Sequence, residues 1–454
     1  MEKVYEESEI PKGSSGVWSL AWPTIITNLL FATSSIIAIK VVGGLGEDAV
    51  AATITGQRIS FILQAILMGI LSGTTALMAR YWGAKQYEES SNYLSRTIHL
   101  TLRVSISFAL LLWVYAGHCV RFLGLKDNAL AMSIIYLKYL APFLPLLAIG
   151  LSITTGFRSI GDVKTPLIIS VIMNIIGVAS MIILTNGYFG FNNYGVYGAA
   201  IGNGISFLCG ALLSLIVWRL NLVKAKYSSL FILDLDRIKN IFQVGLPAAA
   251  EQAIFQTGIN AFLIIVAQYG TTAYAAYGIG IQILAFSFVI GFGFSMAGAS
   301  LVGQHMGADD NTQAKRSAWS GMRLSIGFMT IFGAFIILFA NEIVAFLIND
   351  PEVIRLTVIF IWIMGSLQPL MAIEFSLGGA LRGAGDTKSP LFITLTCLLA
   401  IRVLLALIFL YFDAPIEYIF GTLIADYSVK AILYIKIFMS EKWMQSLTIK
   451  TNHH

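Results

Sequence analysis

Charge is scarce in this chain. Of its 454 residues, 12% are Asp, Glu, Lys or Arg, about half the share found in soluble domains. Cysteine is scarcer still. Cys119, Cys209 and Cys397 stand singly in apolar stretches, which excludes a CxxC redox pair and a cysteine metal site. The five histidines are scattered, and two of them, His453 and His454, end the sequence. There is no H-E-x-x-H zinc motif, no phosphate-cradling glycine loop and no nucleophile elbow. Aspartate-rich metal loops, which an intramembrane prenyl transferase would need, are also missing; the nearest approach is Asp309-Asp310 in a polar turn. The chain therefore reads as a non-enzyme without a cofactor. Any energy it uses must come from an ion gradient or from the substrate's own gradient.

Long apolar runs fill the space left by charge. Hydrophobic residues make up 57% of the chain and the mean hydropathy is +0.79. Runs of 20 or more apolar residues recur, and about 20 suffice to span a bilayer as a helix. They predict an all-α integral membrane protein with twelve transmembrane helices, at 17–43, 50–79, 95–117, 129–157, 165–186, 195–219, 242–268, 273–303, 316–346, 353–381, 389–412 and 415–439. The 41 glycines fit close helix packing in lipid. Residues 1–16 are polar and partly acidic, with Glu2, Glu6, Glu7 and Glu9. They read as a cytosolic lead-in without a cleavable signal.

The sequence also repeats itself. Arg158-Ser-Ile-Gly161-Asp162-Val-Lys164-Thr165-Pro166-Leu167 returns 224 positions later as Arg382-Gly-Ala-Gly385-Asp386-Thr-Lys388-Ser389-Pro390-Leu391. The same offset carries Pro23 to Pro247, Gly46 to Gly270, Gly83-Ala84 to Gly307-Ala308 and Pro145-Leu146 to Pro369-Leu370. The chain is two copies of one unit, an arrangement that in membrane proteins accompanies two lobes rocking about a central site. The expected organisation is an N-terminal tail at 1–16, an N-lobe of six spans at 17–219, a linker at 220–241, a C-lobe of six spans at 242–440 and a C-terminal tail at 441–454.

With the N-terminus inside, the inner loops carry Arg80, Lys85, Arg96, Arg158, Lys164, Arg219, Lys224, Lys226, Arg237, Lys239, Lys315, Arg316, Arg382, Lys388, Lys442 and Lys450. The outer loops carry only Arg121, Lys126 and Arg355. This asymmetry places both termini in the cytosol of a multi-pass plasma (inner) membrane protein, and the two six-span repeats run parallel. The net charge of +5 then reports topology and not nucleic-acid binding. The basic linker reads as a connector lying along anionic lipid headgroups, with a partner-binding patch as the other reading.

The repeated motif reads first as a turn. Arg158 and Arg382 would close their helices, where a cation suits the helix dipole. Gly-Asp is turn chemistry, Thr165 and Ser389 would cap the next helix, and Pro166 and Pro390 would take its first position.

Two carboxylates stand out because an ionisable group inside a membrane is costly and by default functional. Glu251 falls about 15 Å into the seventh predicted helix, and Glu374 about 12 Å before Arg382. Their matched depth makes them the candidate ion-coupling pair. Close together, they would raise one another's proton affinity; ionised and ringed by oxygens, they could hold sodium. The bland reading is that Arg, Lys or Ser caps each one separately. Arg402, Asp426 and Lys430 form a second polar set, read as an internal salt bridge because Asp426 and Lys430 lie at i, i+4. Lys40, Lys138 and Arg103 would snorkel.

With twelve spans in two parallel halves, L-x-x-Pro23 and Gly245-Leu-Pro247 opening each half, Gly43-Gly-Leu-Gly46 after the first helix and Arg-Gly-x-Gly-Asp-Thr-Lys-x-Pro at 382–390, the chain resembles the multidrug and toxic compound extrusion (MATE) transporters over nearly its whole length. The resemblance implies a V-shaped two-lobe bundle with a large cavity, and export of organic cations or other amphipathic small molecules in exchange for sodium or protons. It departs from the family in the first lobe. Ala38 stands where many members have an acid in the first helix, and in the Asn-x-x-x-Asp pattern Asn174 is present but Val178 replaces the acid. Any cation preference should therefore be set by Glu251 and Glu374, with sodium at that pair as one option. Candidate cavity residues are Asn28, Asn174, Gln252, Gln256, Asn260, Gln282, Phe255, Phe286, Met68 and Met296. Aromatic and Met faces suit adaptable binding of flat cations, although at helical spacing most such residues only pack. The alternative is a lipid-linked or metabolite exporter of flippase type in the same superfamily, for which Lys40, Lys138 and Arg402 would supply positive charge. A monomer in the lipid bilayer is expected.

Overall fold

The computed structural model describes residues 10–221 and 234–446. The linker cations Lys224 and Lys226, the acidic start of the chain and the terminal histidines lie outside the described residues.

Within lipid a backbone must satisfy its own hydrogen bonds, so helices are the available solution for an open chain. The described residues are helical throughout, joined by turns. The first half contributes α1 (Gly13–Gly43), α2 (Glu47–Gly83), α3 (Tyr87–Phe122), α4 (Asp127–Leu140), α5 (Leu144–Ser159), α6 (Lys164–Asn186) and α7 (Val196–Arg219). The second contributes α8 (Leu235–Ala267), α9 (Thr271–Gly307), α10 (Asn311–Leu338), α11 (Ala340–Leu347), α12 (Pro351–Ser366), α13 (Gln368–Gly383), α14 (Lys388–Leu395), α15 (Leu404–Tyr411) and α16 (Ile416–Met439). Among the described residues, eleven helical stretches are long and apolar enough to cross a membrane, and α12 with α13, bent by 51° between them, makes twelve.

The 224-residue offset holds in the backbone. It relates the bounds of α2 to those of α9, and the starts of α3, α4 and α6 to those of α10, α12 and α14. It also relates the left-handed residues Lys85 and Asp309, with φ of 59° and 56°. The Gly-Asp turns match bond for bond. Gly161 N donates to Arg158 O and Asp162 N to Phe157 O, as Gly385 N donates to Arg382 O and Asp386 N to Leu381 O. Both glycines are left-handed, at φ of 90° and 91°. A β-branched side chain fits this region poorly. Gly385→Val is therefore expected to cut the yield of monodisperse protein severely while leaving the relative transport rates of different substrates unchanged. Size-exclusion profiles and flux ratios check it.

The caps differ from the sequence expectation. The residue that closes each turn is the aspartate. Asp162 Oδ1 accepts from Thr165 N at 3.0 Å, and Asp386 Oδ1 accepts from Ser389 N at 3.0 Å. Because the helices start at Lys164 and Lys388, Thr165 and Ser389 are already inside and donate an N–H, and the prolines fall at the third helical position. Other bounds shift as well. The predicted 95–117 helix runs from Tyr87 to Phe122, and the 353–381 helix bends at Leu367, between α12 and α13. The predicted 316–346 helix breaks at Phe339 into α10 and α11. The 389–412 helix widens into a π-helical stretch, Thr396–Val403. The 242–268 helix begins seven residues earlier, at Leu235.

That early start uses the linker's charge. Arg237 on α8 makes a two-pronged pair with Glu89 on α3, its Nη2 at 2.8 Å from both carboxylate oxygens, and also contacts Asp234. Burial alone would push Asp234 up, but the Arg237 N–H and guanidinium outweigh it and hold this carboxyl below the usual range. Asn240 donates to Tyr93 Oη at 3.2 Å. The charge of Arg237 is thus matched within the protein.

The chain divides into two compact units. Of the described residues, 26–82, 86–221 and 234–243 form the first, and 10–25, 83–85 and 244–446 the second. The chain thus changes unit inside α1 and again inside α8, within four residues of the helix-internal prolines Pro23 and Pro247. The first unit packs around Leu63, Tyr136, Leu144 and Ala199, and includes Ala38. The second packs around Phe262, Tyr277, Phe360 and Phe420.

Candidate functional site

Six charged side chains converge inside the second unit. Glu251 comes from α8, Glu374 and Arg382 from α13, Arg402 from the π-helical stretch, and Asp426 and Lys430 from successive turns of α16. Three are acids and three are bases, so the cluster is neutral as a whole. Such balance is what a low-dielectric interior demands of buried charge.

Glu251 is held by Arg382. Arg382 Nη1 donates to both carboxylate oxygens, at 2.9 and 3.0 Å, and its Nη2 donates to Ser295 Oγ on α9 at 3.2 Å. Thr394 Oγ1 on α14 adds a 3.4 Å bond to Glu251 Oε1. The approach of α13 to α9 that permits this rests on a missing side chain. A Cβ on Gly379 would fall 2.2 Å from Ser295 O and 2.6 Å from its Cα.

The other carboxylates share two cations. Arg402 Nε donates to Asp426 Oδ2 at 2.8 Å, and its Nη2 contacts the same oxygen. Lys430 Nζ stands 3.3 Å from Glu374 Oε1 and 3.7 Å from Asp426 Oδ2. The Lys430 and Asp426 side chains are 0% exposed and that of Glu374 is 15% exposed. Tyr427 backs the pair of cations, with Arg402 Cζ and Lys430 Nζ each 5.2 Å from its ring centre. Arg402 falls in the π-helical stretch, a wider turn that often accompanies functional sites.

A small cavity of about 10 Å³, room for one water molecule, opens beside Arg402 and Tyr427. Its walls are aromatic and aliphatic, including Phe255, Tyr277, Phe288 and Phe360. Tyr277 packs edge-on to Phe360, with centroids 5.3 Å apart.

The expected internal salt bridge of Arg402, Asp426 and Lys430 is present. Glu251 and Glu374 take different partners, Arg382 and Lys430, with no hydrogen bond or ion pair between them among the described residues. Sequence reasoning missed Arg382, which it spent on a turn. Its spacing of eight residues from Glu374, about two helical turns, was the available signal. Of the candidate cavity residues, Phe255 lines the cavity. Gln256, Asn260, Gln282, Phe286 and Met68 are exposed, whereas Asn28, Gln252 and Met296 are half-buried. Asn174 is buried in the first unit. Its Oδ1 accepts from Ser34 Oγ, and its Nδ2 donates to Ser170 O at 2.7 Å.

The first unit has no such cluster at the matching positions. Shifting by 224 residues turns Glu251 into Thr27, Glu374 into Gly150 and Arg402 into Val178; only Arg382 keeps its type, as Arg158. Arg402, one of the three cations an anionic-lipid reading would use, is committed to Asp426.

Comparison with known proteins adds to this geometry. The family profile MatE matches residues 23–183 and 247–408, once in each half. The chain is 27% identical over 450 residues to the probable multidrug resistance protein NorM of Thermotoga maritima, covering 96% of this chain and 94% of that one. It is 24% identical to the probable multidrug resistance protein YoeA of Bacillus subtilis, covering 85% and 84%. Among solved structures, an outward-facing multidrug resistance MATE family transporter of the MOP superfamily superposes with a TM-score of 0.88 at 17% identity, covering 95% of this chain and 96% of that one. A MOP superfamily transporter from Pyrococcus furiosus gives 0.88 at 18%, covering 97% and 98%.

Proposed function

The chain belongs to the MATE family of membrane transporters, and from that premise we propose that it exports amphipathic organic compounds, cations among them, by alternating access driven by an ion gradient. Glu251 and Glu374 are the carboxylates that respond to the ion. One observation carries this reading: two acids inside a membrane-spanning unit, each held by its own internal cation. Neutralising Glu251 leaves Arg382 without its carboxylate, and neutralising Glu374 leaves Lys430 to Asp426, which Arg402 also holds, so either step unbalances charge in a low-dielectric interior. A helix moved by that imbalance is a means of coupling ion occupancy to the conformation of the second unit. A cationic substrate reaches a carboxylate here only when an internal cation yields it, so ion and substrate compete for the same charges. Both termini lie in the cytosol of a plasma membrane, following the loop-charge asymmetry.

The test is flux of organic cations in proteoliposomes under an imposed sodium gradient and then a proton gradient. Wild type is expected to respond to one of them. Glu251→Gln and Glu374→Gln are each expected to lower that flux at least about tenfold, about 1.4 kcal/mol in the rate, while the protein stays folded. Wild-type flux from both variants would remove the assignment of these residues.

A further inference from the structure

We propose that Lys430 is a built-in cation seated between Glu374 and Asp426 where a sodium ion would otherwise bind, so that this transporter does not use sodium. The inference rests on the transport reading above and decides the ion that reading leaves open.

Three features place the ammonium in that seat. First, Lys430 Nζ approaches two carboxylates from different helices, Glu374 on α13 and Asp426 on α16, at 3.3 and 3.7 Å. Hard cations draw their ligands from just such oxygens. Second, its side chain is 0% exposed, and Nζ makes no hydrogen bond of good geometry, nor does Asp426 Oδ1. The ammonium is held by charge and enclosure, with acceptor capacity left over around it. Third, the cluster is already neutral. Glu251, Glu374 and Asp426 are matched by Arg382, Lys430 and Arg402. A sodium ion added to this set would be an unmatched buried charge, which is strongly disfavoured. Removing the lysine charge reverses the sign. Glu374 and Asp426 would then share a single cation, Arg402, and one positive ion would restore neutrality. A proton adds the same unit of charge but needs no seat of its own: it bonds to a carboxylate oxygen and leaves the ammonium in place, so the occupied seat excludes sodium and not the proton.

The experiment is thermal melting of the purified full-length protein in sodium, potassium and N-methylglucamine chlorides at equal ionic strength. A ligand that binds the folded state raises the melting temperature by an amount that grows with the logarithm of its concentration once that exceeds its Kd. Wild type is expected to melt within about 1 °C in all three salts, and Lys430→Gln to melt several degrees higher in sodium alone, rising with the logarithm of the sodium concentration. Lys430→Arg, which keeps the charge, is expected to stay indifferent to sodium. A sodium-specific rise of several degrees in wild type would overturn the proposal whether or not the variants fold. So would a folded Lys430→Gln protein that ignores sodium. Flux separates this from the transport reading. Wild-type flux driven by a sodium gradient would overturn the role of Lys430 and keep the transporter. Absence of flux under either gradient would sink the transport reading and leave the melting result to judge the seat.

Discussion

Asp426→Asn is expected to destabilise the folded protein by about 3–5 kcal/mol, the usual consequence of removing one partner from a buried ion pair. Asp426 is the hub of the cluster: Arg402 and Lys430 both converge on its Oδ2. Neutralising it leaves two buried cations with Glu374 as their shared counter-charge. The loss should exceed that from Lys315 or Arg355, whose ion pairs are exposed and in that setting contribute little. A paired replacement separates charge from shape. Asp426→Leu with Arg402→Met removes both signs and keeps apolar volume, so most of the lost stability should return, while Lys430 retains Glu374. Melting in detergent checks both steps. A single variant that melts like wild type would mean that the cluster is not assembled as described.

The second large effect is steric. Gly379→Val is expected to abolish flux and to lower stability by about 3 kcal/mol or more, at the upper end of overpacking costs. The added Cβ would meet backbone: Ser295 O at 2.2 Å and Ser295 Cα at 2.6 Å. Backbone in the middle of α9 cannot rotate away as a side chain would. The two helices must separate, and that contact carries the site. Glu374 and Arg382 are on α13, and Ser295, which accepts from Arg382, is on α9. Even Gly379→Ala adds the same atom, so it should show a graded version of the defect. Full activity in the valine variant would mean that α9 and α13 do not touch there in the working protein.

The parts of this architecture legible in the sequence are those with a period or a repeat. Apolar runs gave the spans because lipid imposes a length on them. The 224-residue offset gave the duplication because equivalent turns need equivalent glycines. Asp426 and Lys430 were readable as a pair because helical spacing alone brings i and i+4 together. What could not be read depends on contacts between helices. Arg382 resembles Arg158 in every local respect, and only the acid at 251, absent at the matching Thr27, gives it a different task. The aspartate caps were misassigned because a helix that starts two residues earlier turns a capping hydroxyl into an interior residue. The π-helical stretch around Arg402 leaves no mark in composition at all. Nor does the small cavity, whose walls come from five helical segments.

The change of unit inside α1 has a consequence for how the protein is made. Residues 10–25 leave the ribosome before the rest of the described residues, but they belong to the unit built from residues 244 onward. Trp18 stacks on Phe328 with centroids 4.6 Å apart, and Pro11 O sits 3.3 Å from His305 Nε2. At about 5–20 residues per second, the opening turns of the first helix wait roughly 10–45 s before the α8 segment exists, and longer for α9 and α10. For that interval a nascent segment with its packing face unfilled must be tolerated in the bilayer or sheltered by the insertion machinery. The second unit cannot close until residues 10–25 pack into it. Translation of the far half therefore sets the time at which the near end can fold.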